Sequence, residues 1–194
     1  MMKTDNASSN KIFYPPGGIL LWIIIFLELI TFGMGIIAFV YYGKQDSELF
    51  HLSKLNLNKT IGVINTLLLL TSGFFMAESV KGIRHLNLQK TKSYLQLTLM
   101  GGLLFTILKG IEYFQKIQAG ITLDTNLFYT FYWLLTGFHL AHIVVGMIIL
   151  YFMYHQLTKK IATVDVDDFE ASAAFWHMCD LIWLLLFPVL YLLY

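Results

Sequence analysis

The chain has 194 residues, 57% of them hydrophobic and only 13% charged, with a mean hydropathy of +0.66. Soluble domains carry charge on roughly a quarter of their residues, so this composition excludes a water-soluble globular domain and marks an integral membrane protein. A net charge of +1 gives no case for nucleic acid as a partner.

Apolar runs of about 20 residues, the length a helix needs to cross roughly 30 Å of hydrocarbon, recur at 18–42, 60–80, 93–115, 127–154 and 172–193. They do not alternate apolar with polar residues as the strands of a membrane barrel do. The expected fold is all-α, a polytopic bundle of five transmembrane helices spanning 18–194 behind a polar tail at 1–17.

Lys3 and Lys11 precede the first run in the manner of a signal peptide, but the run is too long for a signal core and is read as a retained helix. Pro15, Pro16, Gly17 and Gly18 form a breaker before it. Glu28 then lies about 15 Å deep at 1.5 Å per residue, close to the bilayer midplane, where a carboxyl must be neutral or paired. Gly33, Gly35 and Ala38 in this span, Gly73 and Ala77 in the second, and Gly101 and Gly102 in the third are expected to mark close helix contacts.

The second span ends in Lys81 and Arg84, cations suited to a helix C-terminus and to anionic lipid headgroups. Lys109 and Glu112 lie one turn apart near the end of the third span. They are expected to form a local ion pair whose lysine snorkels toward water. The fourth span carries His139 and His142, again one turn apart, about 18 to 22 Å from the starting side of the bundle and near the level of Glu28. Two histidines on one face could ligate a metal; hydrogen bonding between helices is the favoured reading.

Asp165, Asp167, Asp168 and Glu170 collect at the start of the last span, where a helix N-terminus favours negative charge. His177 and Asp180 follow three residues apart, so an imidazole and a carboxylate share one helix face. His177 is expected about 8 Å from the edge, away from the other two histidines. The single cysteine, Cys179, excludes an internal disulfide and a cysteine-based zinc or iron–sulfur site. Trp133, Trp176, Trp183 and the tyrosines are assigned to interfacial belts or helix packing, and Pro188 is expected to kink or loosen the helix near its end.

Loops of about 12 to 18 residues separate these spans, too short for a second domain. Lys3, Lys11, Lys81, Arg84, Lys90, Lys92, Lys159 and Lys160 fall on one side; Lys44, Lys54, Lys59 and Lys116 fall on the other. The positive-inside rule puts the N-terminus in the cytoplasm and the C-terminus outside.

These residues resemble one family, subunit III of the haem-copper respiratory oxidases. FEASAAFWHMCDLIWLLLFPVLYL (169–192) is similar to that family's last helix, and TGFHLAHIVVG (136–146) to its two-histidine helix. FLELITFGMG (26–35) resembles the segment with the buried glutamate, and NTLLLLTSG (65–73) the next helix. Five spans resemble the short bacterial form, which lacks the first two helices of the seven-helix form. In one departure, Lys109 stands three residues before Glu112 and Tyr113 where many oxidase members carry glutamine. That lysine also resembles small subunit-III-like proteins accompanying some bacterial nitric oxide reductases, so oxygen and nitric oxide both stay open.

The resemblance implies a multi-pass protein of the bacterial inner membrane with no redox centre or catalytic site of its own. It would bind the haem- and copper-bearing subunit I among other oxidase subunits, hold structural phospholipid and support proton uptake in aerobic electron transport. Glu28, Glu112, His139, His142, His177 and Asp180 would form its polar interior, with Lys81 and Arg84 at lipid headgroups. Two rivals are a freestanding membrane haem protein built on the histidines and a proton-coupled transporter built on Glu28. Unrepeated, unbroken spans fit the transporter poorly.

Overall fold

The computed structural model describes residues 17–159 and 165–194. The expectations for Lys3, Lys11, Pro15, Pro16 and Lys160 lie outside the described residues. The described chain is all-helical: α1 (Gly18–Gln45), α2 (Ser47–Leu55), α3 (Lys59–Arg84), α4 (Leu88–Gln118), α5 (Leu127–Lys159) and α6 (Val166–Tyr191). Five of these are long and apolar enough to cross a membrane, all but α2.

The helices overrun the apolar runs, and the connections are correspondingly shorter than expected. Residues 85–87 alone join α3 to α4, and 119–126 join α4 to α5. Polar side chains at the helix ends make this possible, because each supplies a partner for first-turn N–H groups that have none within the helix. Asn58 accepts from Ile61 N, Asn87 from Lys90 N and Asp165 from Asp167 N, at 3.0 to 3.2 Å. Asp46 does the same for Leu49 N and so starts α2, a nine-residue helix absent from the hydropathy reading. Its Phe50 is fully buried against Phe39, Phe128 and Tyr194, which seats α2 across one end of the bundle.

Helix α6 is the centre of the bundle and α1 its margin: 56% of the apolar stretch of α6 is buried, against 17% for α1. Trp176 and Trp183, expected at interfaces or in packing, are core residues of α6, their indole N–H groups donating to Ser72 and Thr66 on α3. The helix continues through Pro188 to Tyr191. Loosening there is opposed by Tyr191, which is fully buried and hydrogen-bonded to α4.

Helices α3 and α4 form the most intimate pair. Lipid provides no hydrophobic drive between helices, so small residues and hydroxyls do the joining. Ser72 Oγ donates to Thr98 O at 3.0 Å and Ser79 Oγ to Thr91 O at 2.9 Å. A methyl group added at Gly101 would stand 2.8 Å from Ser72 Cβ, and one at Gly102 would meet Trp176 and Met147. Gly73 is pressed against Asp180, and Gly35 against Leu135. Gly33 departs from the expectation: nothing lies within 4 Å of an added Cβ, because it sits on an outward face of α1.

Replacing Gly101 with valine is therefore expected to cost about 1–3 kcal/mol through overpacking. Gly33→Val should stay within about 0.5 kcal/mol of wild type. Denaturant titration in detergent micelles measures both.

Candidate functional site: the buried polar interior

At the level where α4, α5 and α6 meet, Lys109 is wholly enclosed, with 0% of its side chain exposed. Its ammonium donates to Glu112 Oε2 at 3.0 Å, to Tyr191 OH at 2.9 Å and to Tyr132 OH at 3.3 Å. Both tyrosine hydroxyls in turn donate to Glu112 Oε1, at 2.8 and 2.7 Å. The rings of Tyr113, Tyr132, Trp183 and Tyr191 surround the Nζ at 4.9 to 5.5 Å from their centroids.

This corrects the expectation of a snorkelling lysine. The ion pair is present, but Lys109 points inward because three acceptors and four ring faces, each attractive to a cation, replace water there. The network closes on itself: each ammonium and hydroxyl proton is engaged within it.

A separate polar set joins α2 to the rest of the bundle through Asn56 and Lys116. Lys116 Nζ donates to Asn56 O, and Asn56 Nδ2 donates to Tyr129 OH at 3.2 Å. Tyr129 OH reaches Ser53 O at 3.1 Å, so α2 is tied to the ends of α4 and α5 by polar contacts as well as by Phe50.

The two histidines of α5 part company. His139 is fully buried, stacked on Trp183 at 5.3 Å and edge-on to Phe105 at 5.8 Å, and neither of its ring nitrogens has a hydrogen-bond partner among the described residues. His142 turns to α1: its Nδ1 donates to Phe138 O at 2.8 Å, which leaves Nε2 facing Glu28 Oε2 at 3.3 Å. With Nδ1 committed to that carbonyl, Nε2 is the ring nitrogen turned toward the carboxyl, a close approach without a hydrogen bond, since Glu28 Oε2 has no hydrogen-bond partner among the described residues. Glu28 and His142 thus meet at one level, with 24% and 13% of their side chains exposed.

His177 and Asp180 share a face of α6, with His177 Nδ1 3.5 Å from Asp180 Oδ2. Asp180 is buried against Gly73, whereas His177 is 44% exposed and stands outside the interior. It lines a hollow of about 360 Å³ between α1, α3 and α6, together with Trp22, Lys81, Arg84 and Glu170. Arg84 Nε donates to Glu170 Oε1 at 2.6 Å and Lys81 pairs with Glu78, while most of both cationic side chains stays exposed.

Five of the six expected polar residues therefore fall into three groups: Glu112 in the Lys109 cage, Glu28 with His142, and Asp180 with His177. His139 stands alone. Among the described residues no three His, Cys, Asp or Glu side chains converge as a metal-ligand set. Tyr132, Tyr191 and Asn65, the last fully buried and unpartnered among the described residues, were not singled out by the sequence reading. Their only signal was a polar group inside an apolar span.

A family profile described as cytochrome c oxidase subunit III matches residues 19–193. Among curated proteins, cytochrome c oxidase subunit 3 of Rhipicephalus sanguineus is 33% identical over 132 residues, covering 68% of this chain and 50% of that protein. The probable cytochrome c oxidase subunit 3 of Rickettsia prowazekii is 32% identical over 136 residues, covering 69% and 48%. That of Spodoptera frugiperda is 30% identical over 132 residues, covering 68% and 88%. The chain spans about half the length of the first two.

Removing one partner of the cage should be far worse than removing both. Lys109→Met strands a buried carboxylate and is expected to cost about 3–5 kcal/mol, while Lys109→Met with Glu112→Leu should regain most of that loss. Unfolding of the single and double variants in micelles measures the difference.

Proposed function

The chain belongs to the cytochrome c oxidase subunit III family, and from that premise we propose that it is the non-redox subunit III of a respiratory haem-copper oxidase in a bacterial inner membrane. In this role it binds subunit I, which carries the haem and copper, and sustains that subunit during turnover. The observation that carries the reading is the joining of helices by polar side chains: Tyr132 of α5 and Tyr191 of α6 close on Lys109 and Glu112 of α4, and His142 of α5 faces Glu28 of α1. Side chains spent on joining helices suit a scaffold.

Two features supply the finer roles. The hollow bearing Lys81 and Arg84 combines exposed cations with an alanine floor and a tryptophan wall, a fit for an anionic phospholipid headgroup. By the positive-inside rule this end faces the cytoplasm. The Glu28–His142 contact remains partly open, whereas the Lys109 cage is sealed. Proton exchange belongs to the first of these and helix locking to the second.

Lys109 supports one rival, an accessory subunit of a nitric oxide reductase, since this lysine marks the departure from the commoner oxidase pattern. Gentle solubilisation followed by mass spectrometry and haem spectroscopy of the co-purifying chains separates the two. An oxygen-reducing haem-copper subunit is the expected partner; a nitric oxide reductase subunit would replace this reading with its rival, and a Soret band in the isolated chain would refute both.

Within the complex, Glu28→Gln should leave assembly intact while slowing proton uptake or shortening turnover lifetime. Stopped-flow proton uptake and inactivation kinetics check this. Rates matching wild type would remove Glu28 from any proton role.

A further inference from the structure

The end of the bundle that carries α2 holds a buried cation without an answering charge. Phe50, Ser53, Lys54 and Leu57 recur at helical spacing and are all buried, so they form the inward face of α2 and of the turn that follows it. Lys54 is only 6% exposed, yet its ammonium has no hydrogen bond or ion pair among the described residues. Lys116, buried to a similar degree, donates to Asn56 O instead. The carboxylates of this end are occupied or turned outward: Asp46 caps α2, Glu48 and Asp124 are exposed, and Glu112 is closed in the Lys109 cage.

The surroundings of Lys54 are positive as well. Burial, and after it the nearby charge of Lys59, hold its pKa below the ordinary lysine value. Lys59 is the first residue of α3, and no acidic side chain stands in that first turn, so the positive end of the helix dipole is left uncompensated there.

We infer that Lys54 anchors a carboxylate side chain of a partner polypeptide, docked against the turn between α2 and α3. A mobile surface lysine gains little from an ion pair, because its long stem must be frozen to make it. The stem of Lys54 is already packed in place beside Phe50 and Leu57. An incoming carboxylate therefore meets an ammonium that is pre-oriented and partly stripped of water. A polypeptide suits this place better than a lipid does, since α2 lies across the end of the bundle on Phe39, Phe128 and Tyr194 and not along a face turned to hydrocarbon. By the positive-inside rule this end is extracytoplasmic, which assigns the carboxylate to the outer part of a neighbouring chain. That this neighbour is an oxidase subunit rests on the function proposed above; the carboxylate at Lys54 does not.

The test is zero-length cross-linking of the gently solubilised complex with a water-soluble carbodiimide, which joins an amine to a carboxylate only where the two touch. Peptide mass mapping should find Lys54 joined to an aspartate or glutamate of another chain. Lys54→Met keeps the packed stem and removes the charge, so it should lose that product and raise dissociation of the partner at low salt about fivefold. Lys54→Glu should weaken the complex further, and a lysine in place of the mapped acid should restore it.

A Lys54 joined to no other chain overturns the proposal whatever co-purifies, as does a product confined to Asp46, Glu48 or Asp124 of its own chain. A lipid phosphate or a free inorganic anion at this place forms no amide and would give that unjoined result. Partner retention unchanged in Lys54→Met overturns it too; should that variant fail to assemble, the wild-type cross-link map decides alone. A Lys54 product with a chain from outside any haem-copper oxidase would remove the oxidase reading and leave this proposal standing. A haem-copper subunit that co-purifies beside an unjoined Lys54 would do the reverse.

Discussion

A lysine ammonium sealed among helices in lipid has no water to turn to, and the rest of this structure follows from how that need is met. Lys109 and Glu112 on α4, Tyr132 on α5 and Tyr191 on α6 satisfy one another completely. Three helices are thereby fixed in rotation and in register, because no other arrangement brings two hydroxyls and an ammonium to one carboxylate. The aromatic rings that enclose the ammonium belong to the same helices and include Trp183, which also stacks on His139. Polar contacts in lipid are individually modest, so the weight of this one comes from the cost of leaving any member unpaired.

Around that lock the other polar residues divide by how far they are closed. Asp180 is wedged at Gly73 and backs a half-exposed His177, and Ser72 and Ser79 stitch α3 to α4. Glu28 and His142 form the looser join, between marginal α1 and α5. The sealed groups hold the shape of the bundle and the open ones lie at its surface. Cations and hollows collect at one end, and α1 is long, apolar and mostly exposed.

Much of the architecture was legible because hydropathy over 18 or more residues has only one good solution in a bilayer. The five spans, the level shared by Glu28 and His142, and the family likeness came from patterns local in the chain. What escaped depends on residues far apart. Lys109 reads as a snorkelling lysine until Tyr132 and Tyr191 arrive, 23 and 82 positions away. The spacing of His177 and Asp180 placed them on one face but left open which way that face turns; packing at Gly73 buries one and exposes the other. Helix α2 is too short for a hydropathy window, although Asp46 at its start was a visible capping signal.

Isotope-edited infrared spectroscopy of the Glu112 carboxyl, with Glu112→Gln to assign the band, tests the lock most directly. A band that moves in both Tyr132→Phe and Tyr191→Phe, each of which removes one hydroxyl donor to the carboxyl, is the predicted result. A band indifferent to both substitutions would contradict a carboxyl held by α5 and α6 and leave the three helices without this lock.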